Sequence, residues 1–152
     1  MIERKTISTV LLCLMISIGG CVAGLNVSQE DLDKKWHKLS GSELQSMFCN
    51  KTMSGSGRAT WKSYWSSDCK TGRLMVGRDG MYKDEYRTVE VNNDQYCVTA
   101  AGDTDKKCYQ LYEKDGNYLD IDKFGKQDSV TITDGIPSNI QQSLDKFSSK
   151  SK

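Results

Sequence analysis

Along residues 88–122, short runs of alternating apolar and polar side chains are separated by turn-forming residues, a period-two pattern that predicts antiparallel strands. A two-residue turn at Asn93 and Asp94, residue types that tolerate positive φ, sets Val91 opposite Tyr96 and Val89 opposite Val98. Centring the next turn on Gly102 and Asp103 sets Tyr96 opposite Tyr109 and, on the other face, Cys97 opposite Cys108. A four-residue loop over 101–104 keeps that pairing and puts the cysteines at a narrow, non-hydrogen-bonded pair, which suits a cross-strand disulfide. For the third hairpin, a two-residue loop of Asp115 and Gly116 places Leu111 opposite Asp120. A three-residue loop over 114–116, with Gly116 left-handed, instead matches Leu111 with Leu119 and Tyr109 with Ile121, and the apolar match selects it. On that register Val89, Val91, Tyr96, Val98, Tyr109, Leu111, Leu119 and Ile121 face a core, while Cys97, Cys108, Gln110, Tyr112, Tyr118 and Asp120 share the opposite face.

The same pattern continues on either side. A first strand starts at Lys51; in the next, Trp61 and Trp65 share one face and Lys62 and Tyr64 the other, so the two indoles belong to the interior or line a ligand cavity. A strand over 73–76 returns through a three-residue loop that sets Val76 against Tyr82, and the charged run Lys83, Asp84, Glu85 marks a bulge or an exposed edge. Residues 128–133 form the last strand. Ser40 and Glu43 have capping-box spacing ahead of Leu44, Met47 and Phe48, which predicts a short helix plugging one end of the sheet. Ser28 and Asp31 cap an earlier helix with Leu32, Trp36 and Leu39 on one face, and Ile136, Ile140, Leu144 and Phe147 fall at helical spacing near the end. The fold class is therefore mainly β: an antiparallel meander closing into a small lipocalin-like barrel or half-barrel, with short N- and C-terminal helices.

At the N-terminus Arg4 and Lys5 precede a short apolar run over 10–18 followed by small residues, the layout of an export signal. Ile18, Gly19, Gly20 and Cys21 resemble the lipobox of bacterial lipoproteins; by that resemblance Cys21 is the acylated residue, although Ile18 stands where that family prefers Leu. Ordinary cleavage after Ala23 or Gly24 is the alternative. The chain divides into a signal peptide (1–20), a tether or spacer helix (21–39), a disulfide-stapled β domain (40–147) and a disordered tail (148–152). In either case Cys49, Cys69, Cys97 and Cys108 remain, an even set in an oxidising compartment. The hairpin register pairs Cys97 with Cys108, which leaves Cys49 for Cys69.

With 152 residues the chain suits one domain, and its formal charge of +1 gives no field for nucleic acid. The one histidine, His37, lies in the spacer among lysines, far from any nucleophile pattern, and the Asp115 turn lacks a carboxylate at the first position of a calcium loop. No catalytic residue, metal site or cofactor is indicated. Leu39, Ser40, Gly41, Ser42, Glu43 and Leu44, then Gly77, Arg78, Asp79 and Gly80, then Tyr96 with Cys97 and Cys108 with Tyr109, resemble small exported proteobacterial proteins with a disulfide-stapled meander. That resemblance implies a fold and no activity.

The expectation is a non-enzymatic envelope binding module at the outer membrane or in the periplasm, lipid-anchored if Cys21 is acylated. Its partner is an envelope protein or a small apolar ligand, with Trp61, Trp65, Tyr112 and Tyr118 as the contact residues. The alternatives are an inhibitor of a wall-degrading enzyme, a structural envelope component, and a carboxylate-dependent hydrolase.

Overall fold

The computed structural model describes residues 26–56, 59–78 and 81–150; the expected export signal and Cys21 lie outside them. Helix α1 (Gln29–Lys35) is capped by Ser28, whose hydroxyl accepts from the Asp31 N–H at 3.2 Å, and is laced by Glu30–Lys34 and Asp31–Lys35 pairs. It ends before Trp36. A two-residue strand β1 (His37–Lys38) follows, and then helix α2 (Gly41–Phe48), whose capping box is complete. The main strands are β2 (Lys51–Ser56), β3 (Thr60–Trp65), β4 (Thr71–Arg78), β5 (Met81–Asn92), β6 (Gln95–Ala100), β7 (Lys106–Lys114), β8 (Asn117–Asp122) and β9 (Gln127–Asp134), before helix α3 (Ser138–Lys150). Each strand from β2 to β9 pairs antiparallel with its successor and β9 pairs back onto β2, so the meander is a closed eight-stranded barrel. Closure leaves no long free edge.

Two of the three hairpins at 88–122 lie in the expected register. Asn93 and Asp94 both take positive φ, Val89 faces Val98 and Val91 faces Tyr96. Cys97 opposes Cys108 at a Cα separation of 4.0 Å, and both expected disulfides are present, Cys97–Cys108 and Cys49–Cys69. The third hairpin corrects the expectation. Asp115 (φ 52°) and Gly116 (φ 76°) form a two-residue turn, so Leu111 faces Asp120, Tyr109 faces Asp122 and Tyr112 faces Leu119. Positive φ at both positions matches the twist of the flanking strands, and the Gly116 N–H is held by Glu113 Oε1 at 2.7 Å. Leu119 and Ile121 therefore point out of the barrel and Asp120 into it. The β4–β5 turn is also one residue tighter than expected, pairing Gly77 with Tyr82 and Val76 with Lys83. Strand β5 runs through 83–85 without a bulge.

The barrel is covered on two outer faces and plugged at one end. Leu44 and Phe48 of α2 enter the end at which β2 starts, and Phe48 packs edge-on against Trp65 (5.3 Å between centroids) and against Tyr96 (4.8 Å). Helix α1 seals the outward Leu119 and Ile121: Leu32 packs with them and with Tyr112, joined by Val27 and Trp36. Residues 26–39 are thus part of the domain and not a free spacer, and Leu39 leaves the helical face to enter the barrel core. Helix α3 covers Tyr64, Met75 and Tyr86 through Ile140 and Leu144, with Phe147 stacked on Tyr86 at 4.8 Å. It continues through Ser148, which donates to Asp68 Oδ2 at 3.1 Å, so 148–150 is helix where a disordered tail was expected. The end opposite α2, the mouth of the barrel, carries the exposed Met81, Tyr82 and Phe124.

Candidate functional site

Strand alternation puts Met53, Trp61, Ser63, Trp65, Leu74, Val76, Tyr96, Val98, Tyr109 and Asp120 around a cavity of about 190 Å³ in the lumen, with Arg87 and Asp128 toward the mouth. The indoles owe their position to glycine. Trp61 lies across from Gly55 and Trp65 across from Gly72, and a Cβ on either glycine would come within 2.3 Å and 2.5 Å of the facing ring. Each indole therefore lies flat over bare backbone, with space left beside it. Trp65 is further fixed by its indole N–H, which donates to Met53 Sδ at 3.2 Å, and Tyr109 stacks on Tyr96 at 5.3 Å.

On the opposite wall is an acidic pair. Asp120 on β8 directly opposes Asp128 on β9, and Asp122 follows on the same face. Asp120 is only 7% exposed, and its Oδ1 has no hydrogen-bond partner. Burial, with lesser contributions from the charges of Asp128 and Asp122, pushes its pKa up to about 7; the Tyr96 hydroxyl and Lys126 act the other way. Burial also raises the phenols of Tyr96 and Tyr109, and the Asp120 charge adds to both. Two cationic groups near this wall are both engaged: Lys126 Nζ lies 3.7 Å from Asp128 Oδ2, and Arg87 donates through Nε (2.8 Å) and Nη2 (2.5 Å) to Glu85 Oε1, with Lys83 on the other oxygen. Burial would raise the Glu85 pKa, but Lys83 and Arg87 outweigh it and hold the carboxyl low. The lumen therefore offers aromatic and apolar surface on one side and, on the other, a buried carboxyl with one oxygen unpaired.

Of the residues singled out from sequence, Trp61 and Trp65 line this cavity. Tyr112 and Tyr118 do not form a contact surface. Tyr112 is 7% exposed beneath α1, its hydroxyl donating to Gln110 Oε1 at 3.1 Å, and Tyr118 packs against the interior cluster. Asp120, Asp128 and Arg87 were missed. For Asp120 the signal was the Asp115–Gly116 pair itself, a dipeptide typical of two-residue hairpin turns. His37 lies outside the barrel, bonded to Glu43 Oε1 at 2.9 Å. A wider, open groove of about 1080 Å³ runs beside α2, the Cys49–Cys69 bridge and β5, with hydroxyl, amide and charged groups from Ser42, Gln45, Lys70, Thr88 and Glu90 along it. Compared with known proteins, the chain matches no family model, no curated protein and no solved structure.

Proposed function

We propose that this chain is a non-enzymatic binding module of the cell envelope that holds a small molecule in the barrel lumen. The observation that carries the reading is the cavity bounded by Trp61, Trp65 and Tyr109. An apolar cavity of about 150 Å³ is enough to admit benzene, so about 190 Å³ suits a single-ring molecule or one of similar size. Two disulfides support an exported, oxidising location. Anchoring through Cys21 follows from the lipobox resemblance and belongs to the same proposal.

The acidic pair favours a second reading, a carboxylate-dependent hydrolase, because the raised Asp120 carboxyl has a second carboxylate directly across the strand pair. Glycoside hydrolysis places its two carboxyls on either side of the scissile bond. Asp120 and Asp128 are adjacent on one wall, which supports binding over that chemistry.

The test is to purify the protein from an exporting host, denature it and identify released small molecules by mass spectrometry. Ser63 is buried and lines the lumen, so Ser63→Phe fills the cavity. The reading predicts a near-stoichiometric ligand from the wild type and none from Ser63→Phe. Equal recovery from both, or no ligand from either together with no uptake of single-ring probes, would overturn it.

A further inference from the structure

We propose that the lumen selects a small organic cation, whose ammonium group donates to Asp120 beside Asp128 while its apolar body lies against Trp61 and Trp65. The inference rests on the lumen-binding reading and adds the ligand's charge and polarity. Its support is geometric. Asp120 Oδ1 is an acceptor more than nine-tenths buried, facing the cavity without a donor. A buried acceptor without a partner costs free energy that a ligand donor would recover. Asp128 stands directly across the strand pair, and this pairing of like charges, eased by Lys126 at Asp128 Oδ2, would be eased further by a cation at Asp120. Arg87, which also lines the cavity, is held by Glu85.

The remaining groups around Asp120 are Tyr96 from β6, Tyr109 from β7, Asp122 on its own strand and Lys126 in the loop before β9. Lys126 Nζ lies 3.7 Å from Asp128 Oδ2, at the mouth. An ammonium entering the lumen therefore meets two carboxylates and two phenols. The aromatic wall opposite selects an organic body over a hydrated metal ion, since indole faces favour cations with apolar substituents.

Three probes of nearly equal shape separate the possibilities: benzylammonium, benzyl alcohol and benzoate. Their affinities are measured at pH 8 by titration calorimetry, with the Trp61 and Trp65 indole N–H signals followed by NMR to locate binding. The expected order is benzylammonium tighter than benzyl alcohol by about tenfold or more, the scale of one charge-assisted hydrogen bond, with benzoate weakest. In Asp120→Asn, checked for native folding by circular dichroism, benzyl alcohol keeps its affinity and the cation loses its advantage. Asp128→Asn reduces that advantage in part. At pH 5 the advantage shrinks in the wild type, because Asp120 then carries a proton.

Benzyl alcohol binding in the lumen with no preference for benzylammonium, or a preference that survives Asp120→Asn, overturns the inference and leaves the lumen reading standing. No perturbation of either indole by any probe overturns both. Displacement of benzylammonium by millimolar calcium chloride would assign the carboxylates to a metal ion and overturn the organic-cation proposal.

Discussion

Asp120 is the residue whose placement changes most between sequence and structure, and it makes the sharpest prediction. Its carboxyl titrates near 7 in the folded chain against 3.8 for an unperturbed Asp, so between those values the folded state holds a proton that the unfolded state has released. Its effect on stability is most favourable below pH 4, declines as pH rises to about 7 and is constant above. About three pKa units at ~1.4 kcal/mol each set an upper bound of ~4 kcal/mol. Asp120→Asn is therefore expected to stabilise the protein by ~2–4 kcal/mol at pH 8 in urea unfolding, with the gain fading toward pH 4. At the same scale, Gly72→Ala drives a methyl into the Trp65 ring, which Phe48 and Met53 hold from other sides. A loss of ~1–3 kcal/mol is expected, with a shift in tryptophan emission. Gly55→Ala should cost less, because Trp61 is only half-buried and can move.

At the scale of elements, the β7–β8 hairpin shows how much was legible and why the rest was not. Turn chemistry and apolar matching agree for the hairpins at Asn93 and at Gly102, and there the register reads directly from the residues. At Asp115 they conflict. Matching Leu111 with Leu119 presumes one apolar layer, whereas this part of the barrel has two, the lumen and the surface beneath α1. A slip of one residue reverses every side chain, so choosing the wrong layer moved Asp120 out of the lumen and Leu119 into it. The partner of that outer layer lay within a segment that reads as a spacer, where Leu32, Trp36 and Leu39 share helical spacing that β1 in fact interrupts. The indole wall was legible because its alternation is local, and the acidic wall was not because it depends on this one register. Leu32→Ala tests the arrangement: it should cost ~2–4 kcal/mol and raise hydrogen exchange at Leu119 and Ile121, whereas a tethering helix would tolerate it with little change.

For the whole molecule, three devices close a barrel of modest size: α2 as a plug, two outer helices as covers, and two disulfides. Cys49–Cys69 ties the end of α2 to the β3–β4 loop at the plugged end, and Cys97–Cys108 joins β6 to β7. Chain-entropy reasoning gives each loop, with separations of 20 and 11 residues, ~3 kcal/mol. The pH profile of stability belongs to this scale as well. Burial would raise Asp68, but hydrogen bonds from Ser66, the Lys70 and Thr71 N–H groups and Ser148 outweigh it and bring the carboxyl to about 2. Glu43 is held at about 2, chiefly by the Ser40 N–H and hydroxyl. Both favour the folded state above their unfolded values, near 4, and lose that effect as pH falls toward 2. Together with Asp120 they predict greatest stability near pH 4–5, and thermal unfolding between pH 2 and 9 checks it.

The central claim is that the β7–β8 register turns Asp120 into an aromatic-walled lumen, and the carbon-detected NMR titration of the Asp120 carboxyl tests it most directly. A midpoint near 7, accompanied by shifts at the Trp61 and Trp65 indoles as it titrates, is the predicted result. A midpoint near the ordinary 3.8 with silent indoles would place Asp120 on the outer surface and contradict the account.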